Sequence, residues 1–326
     1  MHFLLFGKTI PVYALTGHEE IGMLENMNLF KTYLELENYE IKDLDLLTGN
    51  GKVPEDCACL IVASPKKDFA VVEADSIKEY IKKGGNILWF TNSYSAEGET
   101  PNIKSVLDEY GVTIRQDGVI LEQDTSKMVM ESPDLIIPQV GYTEASQNVS
   151  NILLFDSGKL EFVEQEKLSE LGVTKTDILT SSENSFFRTN LNLGLLGCSE
   201  TNGEKLESSV LGALLEKTVE AESEDENVTS KLIVYANNLF IQDYPIQLGS
   251  GSMSAIGFYN NRDLGLNSTS YLAEVEDAIT IRKGVESTQY TATEVQNRII
   301  KIIIFSVPVI IIILGIVIWQ LRRRKK

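Results

Sequence analysis

Twenty consecutive residues, Ile302 to Leu321, carry no charge, and Arg322, Arg323, Arg324, Lys325 and Lys326 follow them directly. At about 1.5 Å of rise per residue, ~20 apolar residues match the ~30 Å hydrocarbon core of a bilayer. The run is apolar on every side and lies almost at the end of the chain, so little sequence is left to bury it as a core helix. The expectation is a transmembrane helix over 302–321, in which Pro308 is tolerated as a kink. Only Arg298 and Lys301 lie close on its amino-terminal side. The basic tail, 322–326, is therefore placed in the cytoplasm, with Trp319 near the inner interface and the main domain outside. The stalk is placed at 286–301, where Thr291 and Glu294 form a capping-box pattern that predicts a helix starting there and running directly into the span.

The body ahead of this segment, residues 1–285, is long enough for one sizeable domain or for two lobes split near residue 112. Net charge is −18, and since the tail contributes +5, the rest of the chain carries −23. Such a surface repels nucleic acid and anionic lipid, which argues against DNA or RNA as a partner. The cysteines are Cys57, Cys59 and Cys198. Cys57 and Cys59 precede and enter the apolar run Leu60-Ile61-Val62-Ala63. Their spacing predicts small core side chains on one face of a strand, with no second Cys/His pair to complete a metal site. No metal and no cofactor are expected. Met1 to Lys8 is too short and lacks the basic leader of a signal peptide. Either the chain is tail-anchored with its body in the cytoplasm, or an export signal lies upstream of Met1.

Strands and helices alternate through the first third. Ile10 to Leu15 reads as a strand, about Glu20 to Asn38 as a helix with Leu24, Met27, Phe30, Tyr33 and Leu34 at helical spacing, and Ile41 to Leu46 as an edge strand. Cys59 to Ala63, a helix over Val71–Lys83 closed by Gly84-Gly85, a strand over Asn86–Phe90 and a short helix over Ile103–Tyr110 repeat the plan. The pattern predicts an α/β fold with a mostly parallel sheet and helices on both faces. Beyond Val112 it predicts short strands at Val119–Glu122, Ile152–Phe155, Ile178–Thr180 and Leu232–Ala236.

Ligands of open parallel sheets bind beyond the carboxyl ends of the strands. That rule nominates Thr16, Gly17, His18 and Glu19, then Ser64, Pro65 and Asp68, then Asn92, as binding residues. His18 is one of two histidines, and carboxylates adjoin it, which raises acid/base chemistry. No second histidine stands four residues on, and no Gly-x-Ser-x-Gly elbow or phosphate-binding glycine motif follows a strand. No catalytic residue is assigned.

Val12-Tyr13-Ala14-Leu15-Thr16-Gly17-His18-Glu19, Leu36 to Ile41, Ile61-Val62-Ala63-Ser64-Pro65-Lys66-Lys67-Asp68-Phe69, Tyr80-Ile81-Lys82-Lys83-Gly84-Gly85 and Gly315 to Trp319 occur in an order that resembles one family. It is the GldG-like auxiliary component of bacterial ABC-type transport systems, the gliding-motility-associated ABC transporter auxiliary family. The resemblance implies a glutamine-amidotransferase-like or flavodoxin-like fold without a catalytic cysteine. It implies a non-catalytic accessory subunit, single-pass in the bacterial cytoplasmic membrane, whose extracytoplasmic domain binds a partner or ligand beside an ABC permease and ATPase. It also implies a signal anchor upstream of the Thr-Gly-His-Glu loop. The alternatives are a membrane-tethered hydrolase or amidase using His18 and neighbouring carboxylates, or a cytoplasmic tail-anchored adaptor.

Overall fold

The computed structural model describes residues 9–274, except 24, 92–97, 221–226 and 249–250. The expected stalk, span and tail lie outside the described residues, as does Asn92. Among the described residues, no helix is long and apolar enough to cross a membrane.

The first third is β1 (Ile10–Leu15), α1 (Asn28–Leu36), β2 (Tyr39–Leu44), β3 (Cys59–Ala63), α2 (Val71–Lys82), β4 (Ile87–Phe90) and α3 (Pro101–Leu107). Next come β5 (Val112–Arg115), β6 (Val119–Glu122), β7 (Met128–Val129), β8 (Ser132–Ile136), β9 (Gln139–Val140) and β10 (Leu154–Phe155). The chain continues through β11 (Lys159–Phe162), α4 (Gln165–Glu170), β12 (Val173–Thr180), β13 (Ser185–Arg188), β14 (Val210–Val219) and β15 (Val228–Tyr235). It closes with β16 (Pro245–Leu248), β17 (Gly251–Ser254) and α5 (Asn261–Leu272).

The main sheet runs β2-β1-β3-β4-β15-β14-β11-β5, with β12 joining β14 to β9. Pairings among β2, β1, β3, β4 and β15 are parallel, as the alternation predicted. Every pairing beyond β15 is antiparallel, so the sheet is mixed, not mostly parallel. Parallel neighbours need a long crossover, usually a helix, and between the strands past Val112 the described residues form one short α-helix, Gln165–Glu170. Because β4 pairs with β15, strands on both sides of residue 112 share one sheet.

Helices cover both faces of the parallel half. Alternate residues of β1 point to opposite sides. Val12 and Ala14 pack with Phe30 and Leu34 of α1 and Leu264 of α5. Tyr13 and Leu15 pack with Ile77 and Ile81 of α2 and Val106 of α3. β2 is the edge strand, as expected.

Several boundaries differ from the sequence reading. The first helix starts at Asn28, not Glu20. Its first free amides, those of Asn28 and Leu29, donate to the carboxylate of Asp243 at 2.9 and 3.1 Å. Upstream, Ile21 donates its amide to the Ala63 carbonyl at 2.9 Å, which ties this segment to the end of β3. Cys57 and Cys59 do not share a face. Cys59 is buried in the core under α1, whereas Cys57 precedes the strand and packs against the opposite core. Burial pushes the Cys57 thiol up to about 11.

Candidate site at the carboxyl ends of the parallel strands

β1 ends in a loop that a single side chain organises. Gly17 (φ +120°) turns the chain, and His18 is then buried at 4% exposure. Its Nδ1 lies 2.9 Å from Oε1 of Glu20, and its Nε2 lies 2.9 Å from Oε2 of Glu73 in the first turn of α2. Ionised carboxylates only accept, so two of them flanking the ring favour the imidazolium form, which can donate from both nitrogens. The His18 pKa is accordingly raised, chiefly by the hydrogen bond to Glu20, against the opposing effect of burial. The other Glu20 oxygen accepts the His18 amide at 2.7 Å, and Glu73 also accepts the Ala70 amide at 2.8 Å. The Phe69 ring meets the imidazole edge-on at 4.9 Å.

The loop after β3 is knitted to this one. The His18 carbonyl accepts the amides of Lys66 and Lys67, and Glu19 pairs with Lys67 at 2.6 Å on the surface. Ser64 is buried with φ +54°, and its hydroxyl accepts a hydrogen bond from the Asn238 side chain beyond β15. Asp68 turns away and caps α3, accepting the amides of Asn102 and Ile103 at 3.1 and 2.9 Å. Pro65 lines a cleft of about 150 Å³ between Trp89, Ile103 and Ile114.

Thr16, Gly17, His18, Glu19, Ser64, Pro65 and Asp68 thus come to one end of the sheet, in different circumstances. Thr16, Gly17 and Glu19 line a cleft of about 230 Å³ floored by Ala14, Leu15 and Ala63. Glu20, Glu25 and Asp43 complete its acidic rim. The chain crosses from β1 to β2 on one side and on to β3 on the other, so this cleft sits where the strand order reverses. His18, Ser64 and Asp68 instead use their polar atoms on neighbouring protein groups. Sequence reasoning placed Glu20 only among the carboxylates adjoining His18, and it missed Glu73 and Asn238. Glu20 adjoins the residue that was chosen, whereas Glu73 and Asn238 arrive by tertiary folding alone. Among the described residues, no group of histidines, cysteines and carboxylates could hold a metal ion. With both ring nitrogens engaged by Glu20 and Glu73, His18 presents no free nitrogen to a substrate. The geometry shapes and stiffens these loops.

A mixed α/β sheet with helices on both faces and an acidic cleft at the strand-order switch defines the class. A family model described as an ABC-type uncharacterized transport system matches residues 11–268, and the chain belongs to that family. Its fold is shared with the mmIFT52 N-terminal domain, at TM-score 0.56 and 15% identity over 82% of this chain and 98% of that one. More distant are a ThuA-like protein from Parabacteroides merdae ATCC 43184 and a glutamine amidotransferase from Thermotoga maritima. The former has TM-score 0.42 and 9% identity, over 82% of this chain and 90% of that one. The latter has TM-score 0.33 and 13% identity, over 71% and 76%. No curated protein matches the sequence.

Proposed function

We propose that the chain is a non-catalytic accessory subunit of an ABC-type transport system. Residues 302–321 anchor it in a bacterial cytoplasmic membrane, with residues 322–326 in the cytoplasm and the α/β domain outside. Its partners are the permease and ATPase subunits. The domain binds a partner or ligand through the loops that follow the parallel strands, and its parallel half has a glutamine-amidotransferase-like or flavodoxin-like arrangement. Family membership over 11–268 supports the transport role, and the apolar run with its basic tail supports the anchor.

The observation that carries the non-catalytic reading is the saturation of His18 between Glu20 and Glu73 in a buried setting. A general base needs a free nitrogen within reach of substrate. The test is transport activity in cells carrying His18→Gln. An accessory subunit keeps activity in proportion to the folded protein present. A hydrolase or amidase working through His18 loses turnover at unchanged protein level, and that result would overturn the reading.

A further inference from the structure

The segment between β13 and β14 combines two features. It is shaped from within by a buried ion pair, yet it offers leucines to solvent. Arg188 is fully buried, and all five of its N–H groups are used. Nε and Nη2 donate to the two oxygens of Glu204 at 2.7 and 3.0 Å. Nη1 donates to the carbonyls of Gly194 and Leu196 at 2.8 and 2.7 Å, and Nη2 to that of Gly197 at 3.1 Å. Glu204 also accepts the Ser199 amide at 2.9 Å. The loop is thereby wrapped around one guanidinium, and Cys198 packs it onto Val119, Leu121 and Phe186. Leu191, Leu195 and Leu196 nevertheless stand 42, 50 and 66% exposed.

Desolvating an arginine and a glutamate is a poor way to gain stability and a good way to fix one conformation. What this pair fixes is the presentation of the leucines. From Thr189 to Ser199 there is no charged residue, in a chain that is 23% charged. We propose that this loop is a preformed docking element that inserts its leucines into an uncharged, apolar groove on another protein subunit. Resting on the function proposed above, that subunit is the membrane-embedded component of the transport system. Charge argues against a lipid surface as the occupant. The leucine-bearing stretch, 189–199, has no lysine or arginine to hold a headgroup, and the residue that follows it, Glu200, is acidic.

The experiment places a benzophenone amino acid at position 191, 195 or 196 of the full chain in host membranes, with Leu47, 58% exposed, as the control position. The loop positions are expected to crosslink to the permease and Leu47 is not. The triple variant Leu191→Ser, Leu195→Ser, Leu196→Ser should weaken recovery of the permease about tenfold or more, with an unchanged thermal midpoint. Glu204→Gln, which keeps the leucines and loosens the clasp, should weaken recovery as well. Crosslinks to lipid or to a second copy, or an intact complex in the triple variant, would overturn the docking role and leave the accessory function standing. A wild-type chain that recovers no ABC subunit would remove both.

Discussion

At the scale of single residues, His18 is the most consequential position described. Replacing it with alanine leaves the carboxylates of Glu20 and Glu73 facing each other without their shared cation. Breaking a buried pair in this way costs roughly 3–5 kcal/mol, so His18→Ala should lower the urea midpoint sharply at pH 6. The folded-state pKa of His18 is raised from 6.5. Its contribution is therefore complete below the ordinary imidazole range and is lost as pH rises through the raised value. The wild-type domain should lose stability on the alkaline side, and His18→Ala should flatten that part of the profile. Equal slopes in the two proteins would show that the ring is not held as imidazolium. Sequence position pointed to His18 because it follows a strand, but the residues that define its chemistry were legible only in part. Glu19 and Glu20 are indistinguishable by type. The backbone separates them: Glu19 takes φ +56° and turns to Lys67, whereas Glu20 returns to the ring.

Among the elements, those with strong hydrophobic periodicity were legible, and those shaped by tertiary contact were not. β3, with every residue buried, and α2, stopped by Gly84 at φ +83°, follow directly from their sequences. β14 is not legible in the sequence, although it is ten residues long and pairs with β15, β11 and β12. Its buried run Leu211 to Leu215, broken by Gly212, shows no alternation because the strand is covered on both faces. α5 was hidden by the polar stretch Asn267-Ser268-Thr269-Ser270. Those side chains are buried or half-buried, and Ser268 and Thr269 return their hydroxyls to carbonyls one turn back. Gly265 brings α5 close to α1, since a Cβ there would lie 2.9 Å from Cε2 of Phe30. Gly265→Ala should therefore destabilise the domain by about 1–3 kcal/mol through overpacking, measured by chemical denaturation. A neutral result would mean that Phe30 can yield. Asp243 caps α1 from more than two hundred residues away, which no local pattern signals. Asp243→Ala should cost about 1 kcal/mol, with the loss read as earlier amide exchange in α1 than in α2.

For the molecule as a whole, the alternation of strands and helices foretold the parallel half of the sheet, and the fall in regular pattern past Val112 marks where the pairing turns antiparallel. In the proposed function that body is joined to a membrane anchor and a transport system. Proteolysis of a tag inserted at residues 221–226 should occur from outside the cytoplasmic membrane in cells whose outer layers are opened. Protection until that membrane is broken would place the domain in the cytoplasm and favour a tail-anchored adaptor. The most direct measurement of the central claim is affinity purification of the full chain from host membranes, with its companions quantified by mass spectrometry. An accessory subunit should bring an ABC permease and its ATPase in near-constant ratio, and recovery should survive His18→Gln in proportion to folded protein. A chain that purifies from those membranes without either subunit would contradict the account.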